Sequence, residues 1–237
     1  ESTVNSTLVL TFATALFIIY ASSESLANIA RHAGSKTKHY SLGLMLSNQV
    51  YSVNRINGFL IAPLLGLYVD SGGGEELLKL YAMIGCVASA VLLSGVFRVW
   101  PFLLRLGANL LSGIERNGFS FESVKGIISG GREGLYDFAS KDRDLIVIFA
   151  QGLITSLAMP TAFILNILAI RYPAYQATLV QSATVISGAG NLLLNFYIVP
   201  KLALAETRGT PDGLYFSIMV GKIFGIGVMA TCLILII

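Results

Sequence analysis

Charge is what this sequence is short of. Only 12% of its 237 residues are Asp, Glu, Lys or Arg, about half the share of an ordinary soluble domain. Too few charges are present to cover the surface of a soluble enzyme of this length, and a net charge of +3 is too small for a nucleic-acid-binding domain. Cysteine is nearly absent. Cys86 and Cys232 each lie in an apolar run, so no disulfide framework can be argued and both read as small buried hydrophobes. With only two histidines, His32 and His39, there is no metal-spaced His/Cys cluster and no Ser/His/Asp set. Both histidines fall in the first polar loop and are expected to be solvated. Gly72-Gly73-Gly74 follows no strand and precedes no Lys-Ser/Thr pair, so it is not a phosphate-binding loop. The sequence therefore points to no catalytic residue, metal or cofactor. The chain is expected not to be an enzyme and not to bind nucleic acid.

What is present is apolar. Hydrophobic residues make up 54% of the chain and the mean hydropathy is +0.73. The hydrophobic residues come in long runs without the period-two alternation of a barrel strand. Lipid is the solvent such a chain suits, and in lipid the spans must be helices. Six apolar helices are predicted: Thr7 to Ala30, Tyr40 to Val69, Leu77 to Phe97, Leu145 to Ile170, Tyr175 to Val199 and Leu214 to Ile237. Each is long enough for about 30 Å of hydrocarbon at 1.5 Å per residue. The expected fold is thus all-α and polytopic. Helices 1–3 occupy residues 1–97 and helices 4–6 occupy residues 145–237. The connecting segment, 98–144, mixes apolar residues with Arg105 and Asn109 and with paired charges, and is broken by Gly126, Gly130, Gly131 and Gly134. It reads as one or two amphipathic helices on the cytoplasmic face or as an ordinary structured loop. The chain opens on Glu1, which suggests a removed tag or leader, and its first apolar run lacks the basic flank of a signal peptide.

Lys and Arg mark the orientation. Arg31, Lys36 and Lys38, the seven basic residues from Arg98 to Arg143, and Lys201 with Arg208 all fall on one side. Lys79 and Arg171 fall on the other. The basic side is expected to be the cytoplasm, with both termini outside.

Charges inside a span are costly, about 2.5–3.5 kcal/mol each at the bilayer centre. Arg55 lies near the middle of helix 2, too deep to snorkel, with Asn54 beside it; Asn48, Tyr51 and Arg55 share a face at i, i+3 and i+7. It either lines a polar interior or ties two helices together. Glu24 on helix 1 heads a row with Asn28 and Arg31. Reflection through the predicted first loop brings Glu24 level with Asn48, about 10 Å short of Arg55, which leaves Glu24 either in the interior or in an edge salt bridge. Gln181, Thr184, Gly188, Asn191 and Asn195 make a polar stripe along helix 5 that could line a cavity or bond to a neighbour. Lys222 on helix 6 either faces the interior or snorkels. Beside it, Ser217, Gly221 and Gly225 form a close-packing face. Pro160 predicts a kink in helix 4. The interior leans cationic, and forked Arg donors suit phosphate. Transport is the natural class.

These residues also carry a resemblance. Glu24-Ser25-Leu26-Ala27-Asn28-Ile29-Ala30-Arg31, then Ser41-Leu42-Gly43-Leu44-Met45-Leu46-Ser47-Asn48, then Arg55-Ile56-Asn57-Gly58-Phe59 and Ala62-Pro63, closing on Asp70, resemble the Amj family of bacterial membrane proteins, regarded as lipid II flippases. The likeness is tightest over residues 24–70 and looser through Tyr172-Pro173, the helix 5 stripe and Pro200. It implies a cytoplasmic-membrane protein that moves undecaprenyl-pyrophosphate-linked disaccharide pentapeptide from the inner to the outer leaflet for peptidoglycan synthesis, cell-wall biogenesis and cell shape. No residue role carries over from the family. The substrate-binding candidates, Arg55, Glu24, Arg31, Asn48, Asn54, Lys222, Gln181 and Asn191, come from depth and polarity. Six helices are few to surround so large a headgroup, so a homodimer is expected, with Ser217-Gly221-Gly225 as its packing surface. The competing readings are an ion- or proton-coupled carrier of a small anion and a non-transporting membrane scaffold.

Overall fold

Every element in the computed structural model is helical, across the residues it describes, 6–118 and 143–237. Residues 119–142, most of the predicted amphipathic segment, lie outside that description. The first two helices are α1 (Ser6–Thr37) and α2 (Tyr40–Asp70). They form an antiparallel hairpin whose two-residue link holds Lys38 in a left-handed conformation, φ 62°. Glycine sets their approach. A Cβ on Gly34 would stand 2.7 Å from the Cα of Gly43, and the reverse is equally tight, so only two glycines allow this backbone contact.

Helix α1 continues seven residues past the predicted end at Ala30. Its last two turns are not a solvated loop. His32, Ala33 and Gly34 are buried there, and Arg31 and Lys36 are ion-paired to carboxylates far along the chain. The longer helix moves the register of the hairpin. Gly34 faces Gly43 and Ser23 bonds Asn54, which puts Glu24 level with Val53, two residues from Arg55, rather than with Asn48.

Helix α3 (Glu75–Arg98) follows, and then α4 (Trp100–Asn117), opened by Pro101 in its first turn, where a missing N–H costs nothing. Trp100, Leu104, Ala108, Leu111 and Ile114 are buried. Their spacing of four and three makes one apolar stripe, and α4 lies along α1. Its other side exposes Phe102, Arg105, Glu115 and Arg116.

The predicted fourth helix is two pieces, α5 (Leu145–Ala158) and α6 (Thr161–Arg171), bent by 46°. The break falls at Met159-Pro160, as a mid-span proline dictates. Asp144 caps α5, accepting from the N–H groups of Ile146 and Val147 at 3.0 and 3.1 Å, and Lys201 Nζ donates to its other oxygen at 3.0 Å. Burial works against the Asp144 carboxylate, but Lys201 and the two N–H groups outweigh it and hold its pKa below the usual carboxylate range. Its contribution to stability is therefore complete above the unfolded value, about 3.9, and fades as pH falls through the lower folded value. Asp144→Ala should cost about 1 kcal/mol, read as a lower melting temperature at pH 7. The loss should shrink toward zero in strong acid.

Next, α7 (Gln176–Leu193) and α8 (Val199–Thr207) run on through a π-helical turn at Leu194–Ile198. Pro200 explains the wide turn: it cannot donate to the carbonyl four residues back and its ring crowds that carbonyl. Finally α9 (Asp212–Phe224) passes through a second π turn, Gly225–Ala230, into α10 (Thr231–Ile236).

Four of these helical runs are long and apolar enough to cross a membrane: Ser6–Thr37, Glu75–Arg98, Pro173–Thr207 and Asp212–Ile236. The bent α5–α6 pair makes a fifth if it is one span. The six-span reading also counts α2. At 31 residues it is long enough, but Asn48, Asn54, Arg55 and Asn57 dilute its hydropathy.

Helices α5 and α9 meet backbone to backbone. A Cβ on Gly225 would stand 2.4 Å from the Gly152 oxygen, and one on Gly221 would stand 2.6 Å from the Ile148 oxygen. Ser217, fully buried, accepts from the Asp144 N–H at 3.0 Å. The Ser217-Gly221-Gly225 face expected to join two copies is thus spent inside the chain, because small residues let α5 approach first. Gly225→Val should force the pair apart at a cost of about 1–3 kcal/mol or more, seen as a lowered melting temperature and reduced yield. An unchanged melt would contradict this contact. Cys86 is buried as expected, whereas Cys232 is exposed on α10; both are free thiols.

The helix ends gather in two layers. One holds the end of α1 and α8 with the starts of α2, α4, α5 and α9, joined by the Arg31–Glu206, His32–Asp212, Lys36–Asp212 and Lys201–Asp144 pairs. The other joins the end of α6 to the start of α3 through Arg171–Glu75, and Gln176 to Asp70. This up-and-down order is the one the apolar runs require.

Candidate functional site

Between the α1–α2 hairpin on one side and α5, the first π turn and α9 on the other lies a cavity of about 550 Å³. That is the size range of sites for compact ligands. Six of the eight predicted site residues line it: Glu24, Arg31, Asn48, Asn54, Arg55 and Lys222. Gln181 does not. It is exposed on α7, about four turns before the π turn whose Leu194, Asn195 and Ile198 reach the cavity. The predicted stripe thus contributes Asn195 in place of Gln181. The side chains of Asn191 and Thr184 lie outside the described residues.

The charges on the walls are handled differently. Arg31 is clamped: its Nε and one terminal nitrogen donate to the two oxygens of Glu206, each at 3.0 Å. Tyr215 donates to the same carboxylate at 2.6 Å. Lys222 is 2% exposed, so it does not snorkel. Its ammonium lies 2.9 Å from Glu24 Oε1, an ion pair whose angles do not make a hydrogen bond. Glu24 thus lines the cavity and is ion-paired there, with a buried lysine. Arg55 has no carboxylate within ion-pair distance among the described residues, and it is exposed at the cavity mouth. Among the described residues it ties no helices together. Asn54 does: its amide donates to the Tyr20 carbonyl at 2.9 Å and its oxygen accepts from Ser23 at 2.5 Å.

The walls also carry unspent hydrogen-bonding capacity. Asn28 Nδ2, Gln151 Oε1 and Lys222 Nζ are buried without a hydrogen-bond partner, and all three residues line the cavity. Buried polar atoms in native proteins are nearly always satisfied. Three of the seven buried side-chain atoms without a partner among the described residues lie on this cavity, so a polar guest there, water included, has three groups to bond.

Two features escaped the sequence. Glu206, the anchor of Arg31, comes 175 residues later in the chain, and no local pattern links them. His32, expected in solvent, is fully buried. It stacks on Tyr215 with ring centres 4.1 Å apart, contacts Asp212 at 2.8 Å through Nε2 and accepts from the Trp100 indole at 3.2 Å through Nδ1. This aromatic and acidic knot locks α1 to α4 and α9 directly below Arg31. His39 is partly exposed and pairs with Glu115 at 3.0 Å.

No family model, curated protein or solved structure matches this chain.

Proposed function

We propose that this protein is a flippase of the bacterial cytoplasmic membrane, with six spans and both termini outside, that carries lipid II from the inner to the outer leaflet for peptidoglycan synthesis. The observation that carries the reading is the composition of the cavity. Among the described residues its wall holds Arg31, Arg55 and Lys222 against Glu24, with Glu206 clamping Arg31 from behind, among four or five helical runs apolar enough to cross a membrane. A cationic pocket among lipid-facing helices suits an anion attached to a lipid, and guanidinium with ammonium suits a diphosphate. The amide groups of Asn28, Asn48 and Gln151 offer hydrogen bonds to a sugar.

The surroundings of Arg55 support a lipid-linked ligand over a free one. Val53, Ile56 and Phe59 are exposed at 66, 59 and 75%, so an apolar strip runs beside the charged mouth. A diphosphate and its first sugar would occupy the cavity. The isoprenyl tail would lie along that strip, and the peptide would stay outside. Such a division also removes the need for a large chamber.

The test uses cells stripped of every other lipid II flippase. Expressing this chain should restore lipid II on the outer leaflet, read by an enzyme that cleaves only the exposed lipid. A well-inserted chain that exposes none would overturn the proposal.

A further inference from the structure

We infer that a diphosphate in this cavity takes Lys222 away from Glu24 and that Glu24 then takes up a proton, so that each diphosphate is bound together with one proton. The inference rests on the anion-site reading above and adds a charge rule to it.

The bookkeeping is local. Arg31 is cancelled by Glu206, which grips it with two hydrogen bonds. Lys222 is cancelled by Glu24. Arg55 is left, so the empty site carries one positive charge in surplus. A diphosphate diester brings one negative charge on each phosphate. With every side chain unchanged, the loaded site would hold one negative charge in surplus. Burying an uncompensated charge in a low-dielectric interior is expensive. One proton restores neutrality.

Lys222 is the group placed to change partners. It is nine-tenths buried and more, it lines the cavity, and its ammonium spends no hydrogen bond on Glu24. A phosphate oxygen offers it the aligned bonds the carboxylate does not. Glu24 would then keep no direct cation.

The other groups facing Glu24 leave it as the acceptor of the proton. On α1 these are Tyr20 and Arg31, on α2 Tyr51 and Arg55, and on α9 Lys222; α5 presents only Gln151 and Thr155, and the π turn only Asn195. Phenol, guanidinium and ammonium groups are not bases near neutral pH. Glu206 is committed to Arg31 and Tyr215. Diester phosphates are too acidic to be protonated near neutral pH. The proton comes from solvent, adds to a Glu24 carboxylate oxygen, and no other bond is made or broken.

The experiment is titration calorimetry on the purified full chain in nanodiscs at pH 7, in two buffers of different ionisation enthalpy. The probe is a short-chain isoprenyl diphospho-N-acetylglucosamine, and the control is the corresponding isoprenyl phospho-N-acetylglucosamine diester, which carries a single charge. The expected result is uptake of about one proton per diphosphate and about none per monophosphate. Glu24→Gln removes the competitor for Lys222. It should bind the diphosphate several-fold more tightly and take up no proton. Binding of the diphosphate without proton uptake, or full uptake in Glu24→Gln, would overturn the inference while leaving the anion site standing. Failure of the native chain to bind either probe would remove the anion-site reading and the inference with it. If Glu24→Gln does not fold, the two probes on the native chain decide the matter alone.

Discussion

Arg55→Ala is expected to abolish lipid II exposure without lowering the amount of protein in the membrane. The two halves of that expectation have separate causes. Arg55 makes no ion pair among the described residues and lies exposed at the cavity mouth, so the fold loses nothing by its removal. The substrate loses a charge-assisted contact worth about 1.5–3 kcal/mol, or roughly 10- to 150-fold in affinity. Arg55→Lys keeps the charge but not the forked donor pair and should retain part of the activity. Asn54→Ala makes the contrast. It breaks two bonds between α1 and α2, so it should lower stability and activity together. Full activity in a stably inserted Arg55→Ala protein would remove Arg55 from the substrate path.

The second large effect is expected at Glu206. Its carboxylate accepts two bonds from Arg31 and one from Tyr215 while only 7% of the residue is exposed. Glu206→Ala leaves a largely buried guanidinium and a buried phenol without partners. Removing one side of a buried pair costs about 3–5 kcal/mol, which should appear as a large drop in melting temperature in detergent. Glu206→Gln keeps an acceptor for Tyr215 and should fall between the two. Arg31→Met with Glu206→Gln removes the charges together and should recover much of the loss, because the penalty comes from the orphaned charge more than from the missing attraction. A double variant as unstable as Glu206→Ala would show that the clamp acts through shape instead.

The candidate site was largely legible because depth in an apolar run is a strong physical signal. Arg55, Glu24 and Lys222 are conspicuous where charge is costly, and all three reach one cavity. The kink at Pro160 was legible for a covalent reason, a missing N–H. Where the reading went astray, a local rule met a distant partner. Arg31, His32 and Lys36 look like the start of a loop because they are polar. They are the last turns of α1 because Glu206, Asp212 and Trp100 neutralise or cover them. The longer helix shifts Glu24 by five residues against α2, from Asn48 to Val53, or about one and a half turns. Gln181 and Asn195 share a stripe by spacing, yet only the residue at the π turn reaches the cavity.

The sequence by itself determined that the chain is helical, that its helices are made for an apolar surrounding, and which few charges would have to be accommodated among them. These follow from composition and period, which are properties of neighbours along the chain. Only the tertiary structure decided who accommodates whom. It gave Arg31 to Glu206 and Lys222 to Glu24, left Arg55 without a carboxylate in ion-pair distance among the described residues, and used the Ser217-Gly221-Gly225 face inside the chain. The reason is that an ion pair or a glycine contact depends on register between helices. Register is set by where each helix stops and how closely two backbones can approach, and neither is written in any one segment.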